Sequence, residues 1–491
     1  MMVCIYIDTF GTSKIPENEI IENKETATEE AVGMETAVPE AVVENKMGVK
    51  PINKLLIEMS VPMMISMIIQ ALYNIVDSYF VAKVSEDAVT AVTLAFPMQN
   101  LMISIGMGTC VGVNALLSKA LGQKNKKAVD DAANTGLLLT AVHFVLFLII
   151  GFFLSSVFIH SQTDNAQIAS YAISYLKIIS VMSFGCFFQV MFERLLQSTG
   201  KTQLSMISQM SGAIISMVLD PIMIFGLYGF PRMEVAGAAV ATCIGQVCAC
   251  VIGFVLNIKY NRDISISLSK MFKPHFETIK KVYIIGIPST LMMAIGSLMT
   301  YFMNLILGGF SSTAQAVFGI YFRLQSFFFM PVFGLNNALI PVLAYNFGAK
   351  RKDRIMEALK FTVVVAVCIM LTGTATFMAI PKQLLLIFEA SEEMLAIGVT
   401  ALRIIGLNYP MAAVAIVLGS VFQAFAKSQY SFFTSVARQL VVLIPGAWLL
   451  AQTGVISNVW WAFPISEVVS LAVTFVFFKK VKKEVVDPLE A

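Results

Sequence analysis

The first long apolar run of the chain is residues 55–82, LLIEMSVPMMISMIIQALYNIVDSYFVA. As a helix rising 1.5 Å per residue, a run of this length exceeds the ~30 Å hydrocarbon core of a bilayer. Of the 491 residues, 57% are hydrophobic and 13% are charged, and the mean hydropathy is +0.78. Soluble globular chains do not combine these values. The sequence therefore indicates an integral membrane protein.

Apolar runs long enough to cross a bilayer as helices occur twelve times along the chain. A polar, basic stretch at 257–281, NIKYNRDISISLSKMFKPHFETIKK, leaves six runs on each side. We predict an all-α integral membrane fold, with twelve transmembrane helices in two pseudo-symmetric six-helix lobes around a central cavity. The runs lie roughly at 55–82, 88–117, 132–159, 166–192, 204–228, 235–258, 282–308, 313–346, 361–380, 396–422, 432–451 and 457–478.

The two halves contain an internal repeat with a constant offset of 226 residues. Several of the matches are polar loop positions, which chance pairing of apolar residues would not produce. Two like-oriented six-helix repeats are typical of a transporter whose halves rock about a central cavity. The matched pairs include Pro62 and Pro288, Ser85 and Ser311, Gly122 and Gly348, Lys124 and Lys350, Gln197 and Gln423, Lys201 and Lys427, and Ser205 and Ser431.

Lys and Arg residues in the short loops predict the orientation of the chain. They are abundant after the second run, in SKALGQKNKKA, after the eighth, in GAKRKDR, and at the carboxyl end, in KKVKK. The loops after the third, seventh and eleventh runs contain neither residue. Because basic loops stay in the cytoplasm, we expect both termini there, in a multi-pass protein of the cytoplasmic (inner) membrane.

The segments outside the spans complete the predicted domain organisation. Residues 1–50 are polar and Glu-rich and lack the pattern of a signal peptide, so we expect a disordered acidic tail. In the alternative, Met47 is the true start and the tail is an upstream extension. The predicted parts are the tail at 1–50, an N-lobe at 51–258, a cytoplasmic linker at 259–278, a C-lobe at 279–480 and a cytoplasmic tail at 481–491.

Polar residues within the spans are functional candidates, because each is costly in the bilayer. Gln70, Asn74 and Asp77 are spaced i, i+4, i+7, which places them in one stripe on the first helix. We expect this stripe to face the cavity, with Tyr73 beside it.

A second acid, Asp220, precedes Pro221 in the fifth span. The proline leaves the carbonyl of Met217 without a hydrogen bond and bends the helix beside the carboxylate. The hydroxyl of Ser216 lies one turn earlier. A carboxylate, a free carbonyl and a hydroxyl are oxygen ligands suited to a hard cation such as Na+.

Helix rise predicts that the two acids lie at similar depth. Asp77 lies about 33 Å and Asp220 about 24 Å from the inner ends of helices that both run outward. Thr242 lies about 10 Å below the outer end of the sixth helix. Asp77, Asp220 and Thr242 therefore all lie in the outer half of the membrane. We predict that Asp77 and Asp220 form a cation-coupling site, with Thr242 as a third oxygen donor.

Basic residues are distributed unequally between the halves. Arg323, Arg438 and Glu467 lie near mid-membrane in the second half, and we expect Glu467 to pair with one of the arginines in a structural ion pair. The first half has no base at the depth of Asp77 and Asp220. The two acids should therefore be protonated or bind a cation. In the alternative, both merely satisfy helix hydrogen bonds.

The repeat places the predicted ion site in the first half only, and the one arginine within the spans of that half lies far from the two acids. At the offset of 226, Asp77 corresponds to Met303 and Asp220 to Gly446, so the repeat copies the helices but not the acids. Arg194 lies near the cytoplasmic end of its span, where we expect it to pair with Glu193 or to extend to the surface.

Missing motifs exclude several classes of function. Gly200 and Lys201 form a Gly-Lys pair, but Leu195 stands where a P-loop needs glycine, so the sequence encodes no ATP-driven mechanism. No HExxH or GxSxG motif occurs, so we expect no enzymatic activity. We also expect no nucleic-acid partner and no cofactor other than a coupling ion, H+ or Na+.

The motifs ALYNIVDSYFVAKV, VLDPIMIFG, VAGAAVAT and FGAKRKDR resemble those of the multidrug and toxic compound extrusion (MATE) transporters, over residues 51–480. The resemblance implies export of cationic amphipathic compounds in exchange for protons or sodium. Asp77 and Asp220 match the amino-lobe carboxylates of the bacterial DinF-type branch, and Thr242 matches its threonine. That branch commonly has asparagine where this chain has Ser216. Acids that another branch carries on its seventh and tenth helices are missing here.

The sequence therefore predicts a monomeric antiporter that exports cationic amphipathic compounds by alternating access. Binding of the ion at Asp77 and Asp220 is expected to reposition the first helix and displace the drug outward. Two other classes stay open: a flippase for lipid-linked oligosaccharides with the same two-lobe plan, and a membrane scaffold that transports nothing. The first would need a basic cavity for a pyrophosphate head group, and the second would not need unpaired acids.

Overall fold

A computed structural model describes residues 45–273, 275–388 and 390–489, and shows helices without any β-strand in these ranges. Ten helices are long and apolar enough to cross a membrane, and two bent helix pairs bring the number of spans to twelve. The predicted all-helical, twelve-span fold is confirmed. The spans are α1 (Ile52–Ala82), α2 (Glu86–Gly122), α3 (Lys126–Phe153), α4 (Ala166–Val181 with Ser183–Ser198), α5 (Thr202–Phe225), α6 (Glu234–Tyr260), α7 (Phe276–Gly308), α8 (Ser312–Gly348), α9 (Lys352–Ala379), α10 (Glu392–Gly406 with Tyr409–Ala424), α11 (Ser428–Ala451) and α12 (Ile456–Leu489).

The repeat extends to the local structure of the helices. The bent spans α4 and α10 begin 226 residues apart, and they bend by 47° and 48° at equivalent breaks. Ser85 caps α2 by accepting a hydrogen bond from the amide of Ala88, and Ser311 caps α8 by the same bond from Ala314. Equivalent residues therefore begin and bend equivalent helices.

The first helix of each half packs mainly against a helix of the other half. α1 packs against α8 as well as α5, and α7 packs against α2. Leu55, Met59 and Met63, in the inner half of α1, belong to the same buried hydrophobic cluster as Leu339 and Leu343 of α8. α1 thus joins the two halves, because its inner part contributes to the core of the second half.

Glycines allow α2 and α8 to cross closely at their inner ends. A Cβ added to Gly122 would overlap the carbonyl oxygen of Tyr345, and one added to Gly348 would overlap the carbonyl oxygen of Lys119. These two contacts are related by the offset of 226. The pseudo-two-fold axis of the repeat therefore passes through this crossing, which holds the halves together at the predicted cytoplasmic side.

The expectation of disorder is wrong for residues 45–50, whereas residues 1–44 lie outside the described part of the chain. Lys46–Val49 forms a short helix, and Met47 is fully buried. Arg354 donates to the carbonyl of Met47 at 3.0 Å, and Asn45 donates to the carbonyl of Thr199 at 3.1 Å. The chain is ordered here because its backbone carbonyls and side chains find partners in both halves.

Residues 481–489, predicted as a tail, continue α12 as further helical turns. Val486 is buried there, and Asp487 forms an ion pair with Lys352 at 3.3 Å. The predicted linker contains the short helix Leu268–Met271. Asp263, which precedes this helix in the linker, forms an ion pair with Lys201.

Candidate functional site

Asp77 and Asp220 lie close enough in the outer half of the first repeat to repel each other electrostatically. Asp220 is fully buried on α5, and Asp77 is partly buried on α1. Both carboxylate oxygens of Asp220 and Oδ1 of Asp77 are buried without a hydrogen-bond partner. Buried carboxylate oxygens are normally paired. The three oxygens that lack a partner are therefore free to accept a hydrogen bond or to ligate a cation.

Two tyrosines, Tyr73 and Tyr175, lie near the two acids. The hydroxyl of Tyr73 on α1 lies 2.6 Å from Oγ1 of Thr242 on α6, at hydrogen-bonding distance. Tyr175 on α4 is buried and lies close enough to both acids to interact with them electrostatically. Sequence reasoning missed Tyr175, because it is not charged and does not belong to the polar stripe of α1.

Ser216 lies one turn before Asp220 but faces the contact between α5 and α6. Its hydroxyl donates to the carbonyl of Ala241 at 3.4 Å, and a Cβ at Gly245 would overlap it. No hydrogen bond joins Ser216 to either acid within the described residues. Its observed role is to fill the space that Gly245 leaves between the two helices.

The polar stripe of α1 continues the face that packs against the second half. Met63 is buried on that face, whereas Gln70, one to two turns further out, is only partly buried and Asn74 is exposed. The side chains of the stripe are therefore less buried in the outer half of α1 than the residues on the same face of its inner half.

Arg194 neither reaches the surface nor forms an ion pair with Glu193 within 4 Å, so that expectation is wrong. Arg194 is buried, and it donates to Oε1 of Gln197 at 2.9 Å and to Oδ1 of Asn337 at 3.1 Å. Glu193 instead accepts a hydrogen bond from Gln189 at 2.9 Å. Because Asn337 is on α8, Arg194 connects the two halves.

The three charged residues of the second half do not form one cluster. Nη1 of Arg438 donates to Oε2 of the buried Glu467 at 3.3 Å. Arg438 lies in a π-helical turn of α11, Ala437–Leu443. Arg323 on α8 is exposed, and neither a hydrogen bond nor an ion pair is found for it in the described ranges. Glu467 is therefore paired with Arg438, and Arg323 stands apart.

A bundle of twelve spans, built from two repeats and containing buried unpaired acids, has the design of a secondary transporter. A family model described as MatE matches residues 62–222 and again 288–449. The matches begin at Pro62 and Pro288, which are 226 residues apart. The chain therefore belongs to the MatE family, and the predicted MATE resemblance is confirmed.

Individual relatives cover most of the chain at modest identity. "Multidrug export protein MepA" of Staphylococcus haemolyticus (strain JCSC1435) is 24% identical over 85% of this chain and 91% of its own length. The protein of the same name from Staphylococcus saprophyticus is 25% identical over 84% of this chain and 90% of its own. A solved structure described as the outward-facing conformation of a multidrug resistance MATE family transporter matches with a TM-score of 0.84, at 24% identity, over 91% of this chain and 98% of that chain. The structural likeness shows that the fold is shared.

Proposed function

We propose that the protein is an antiporter that exports cationic amphipathic compounds in exchange for protons or sodium ions. The observation that carries the proposal is the pair Asp77 and Asp220, with three buried carboxylate oxygens that have no partner. The names of the related proteins, which describe multidrug export, support the substrate class. We further propose that the protein acts as a monomer with both termini in the cytoplasm.

The coupling step follows from the electrostatics of the pair. Without an added positive charge, the two carboxylates repel each other and lack hydrogen-bond donors. A proton shared between them satisfies a carboxylate oxygen and removes the repulsion. Sodium would bind the same carboxylates together with the hydroxyls of Tyr73 and Thr242, since Na+ prefers oxygen ligands. A cationic compound in the cavity competes with either ion for the same negative charge, which makes binding of the two mutually exclusive.

Alternating access is supported by the difference between the two ends of the molecule. At the inner end, α2 and α8 cross through Gly122 and Gly348, and residues 45–50 contact both halves. In the outer half, the stripe at Gln70 and Asn74 is open. With the proposed orientation, this arrangement corresponds to a state that is closed at the cytoplasmic end and accessible from the outer end.

α1 is suited to transmit ion binding between the two ends. Its outer half carries Asp77 and contacts α6 through Tyr73 and Thr242. Its inner half, around Met59, is part of the hydrophobic core of the second half. A change at the acids that moves the outer part of α1 therefore acts on the contact between the halves.

Transport by the purified protein in liposomes tests the proposal. An imposed pH or sodium gradient should drive movement of the fluorescent cation rhodamine 6G in the wild type, and the more effective gradient identifies the ion. Asp77→Asn and Asp220→Asn should each abolish gradient-driven transport. The control Glu86→Gln replaces an exposed acid at the outer start of α2 and should transport normally.

Other results would contradict the proposal. Full activity of both asparagine variants would exclude the acids as the coupling site. Absence of flux in the wild type, together with movement of a lipid-linked oligosaccharide precursor, would identify a flippase. If the wild type moves neither rhodamine 6G nor the lipid-linked precursor, a membrane scaffold that transports nothing becomes the better explanation.

A further inference from the structure

Arg323 lies on the face of α8 that meets the first half of the protein. Further inward on this face, a Cβ at Gly334 would lie 2.7 Å from the backbone of Met64 in α1, and Asn337 accepts a hydrogen bond from Arg194. Arg323 precedes Gly334 by eleven residues, which at 100° per residue is three turns and about 20° around the helix. Counted along a regular helix, Arg323 therefore lies on the side of α8 that faces the first half, about 16 Å further outward.

The faces of α8 and α1 that meet in the inner half are uncovered in the outer half. Gly334 is buried on α8, but Arg323 and Phe327 are exposed. On α1, Met63 is buried and Asn74 is exposed. The two helices therefore separate outward and leave an opening, which we call the outer cleft. Its lining residues include Gln70, Asn74 and Asp77 on α1 and Gly319, Arg323 and Phe327 on α8.

The position of Arg323 requires water or a ligand around its guanidinium. The residue lies eleven positions into α8, about 16 Å along the helix from its outer end and so within the membrane. An arginine that faces lipid inside the hydrocarbon core is unfavourable unless its side chain extends to the polar interface. No acid pairs with it within the described residues, whereas Arg438 is paired with Glu467. The outer cleft therefore has one acid, Asp77, on its α1 side and an unpaired cation, Arg323, on its α8 side.

We propose that Arg323 binds an anionic group of the transported compound, so that the preferred substrates are zwitterionic amphiphiles that carry a carboxylate as well as a positive charge. The planar guanidinium can hold a carboxylate through two parallel hydrogen bonds. The cationic group of the same molecule then faces Asn74 and Asp77. The inference rests on the proposed export function and specifies its substrate class.

A pair of dyes with the same chromophore separates this inference from the proposed function. Rhodamine 19 carries a free carboxylic acid, and rhodamine 6G is its ethyl ester and therefore a simple cation. In liposomes containing the full-length protein, Arg323→Gln should raise the KM for rhodamine 19 about tenfold. The KM for rhodamine 6G should change by less than about twofold. Arg323→Lys keeps the charge but not the paired geometry, and should give an intermediate loss for rhodamine 19.

Arg403→Gln is the matched control. Arg403 is also an exposed arginine within a span, but it lies on the face of α10 opposite the buried Gly398, Ala401 and Ile405. Its replacement should affect neither dye. Transport of rhodamine 6G by Arg323→Gln shows that this variant is folded.

Three results would overturn the inference. In the first, Arg323→Gln changes transport of both dyes equally. In the second, it changes neither. In the third, the wild type moves the ester but not the acid. Failure of the wild type to move either dye under any gradient would instead contradict the proposed export function.

Discussion

Gly348→Ala is expected to weaken closure of the inner end of the protein. The added methyl group would overlap the carbonyl oxygen of Lys119 and lie 2.9 Å from its carbonyl carbon. Both atoms belong to the backbone of α2, so no side-chain rotation can relieve the overlap. α2 and α8 must therefore separate at the crossing, which disfavours the closed arrangement and leaves an inward-open arrangement unaffected.

The magnitude follows from the cost of overpacking. Inserting one methyl group into a well-packed contact costs about 1–3 kcal/mol. A change of this size shifts an equilibrium between two states by about 5- to 150-fold. If the closed arrangement prevails in the wild type by no more than this factor, inward-open molecules should become a large fraction of the population.

Electron-paramagnetic distance measurements in a cysteine-free background can detect the shift. One label pair at Lys127 and Asp353 reports on the inner end, and a second at Glu86 and Ser312 reports on the outer end, all four positions being exposed. In Gly348→Ala, the inner distance should lengthen and the outer distance should shorten.

Gly319→Ala is the control for this measurement. It makes the same substitution on the same helix, at a position where an added Cβ has no neighbour within 4 Å. Its distances should equal those of the wild type. Distances in a folded Gly348→Ala variant that also equal the wild-type values would refute the role of the crossing.

Two further predictions concern stability, measured by thermal unfolding of the purified protein. Tyr73→Phe leaves the buried hydroxyl of Thr242 without its partner and should cost about 1 kcal/mol, whereas Tyr79→Phe, at an exposed tyrosine on the same helix, should cost nothing measurable. Arg438→Met leaves the carboxylate of Glu467 buried and unpaired and should cost about 3–5 kcal/mol. The double variant Arg438→Met/Glu467→Leu should regain most of the lost stability, because it leaves no buried unpaired charge. If the double variant is as unstable as Arg438→Met alone, the unpaired carboxylate of Glu467 is not the cause of the instability.

The repeat made much of the fold predictable from the sequence. A constant offset of 226 residues relates not only the residue matches but also the starts of α2 to α5 and of α8 to α11. Local chemistry explains this regularity. Lys124 and Lys350, at the end of α2 and α8, both adopt a left-handed backbone conformation with φ of 57°, and Ser85 and Ser311 cap the starts. Such signals act within a few residues and are visible in sequence.

Long-range partners were not predictable in the same way. Arg194 was expected near Glu193 because the two are adjacent in sequence, but its partner Asn337 lies 143 residues away. Neighbouring residues on a helix point about 100° apart, so adjacency does not favour contact. Composition likewise predicts disorder for residues 45–50, although partners such as Arg354 lie about 300 residues further along the chain. Such contacts depend on how helices pack, which one sequence does not specify.

The differences between the two halves explain how a symmetric scaffold could carry out directional exchange. At the position equivalent to Asp77, Met303 is fully buried and belongs to the hydrophobic core of the second half. The second half therefore has an apolar core contact at the position where the first half has a carboxylate without a partner. In the proposed exchange, the ion therefore acts on the first half, and the second half has no equivalent acids. Because the inner part of α1 belongs to the core of the second half, we expect a movement of its outer part on ion binding to act on the contact between the halves.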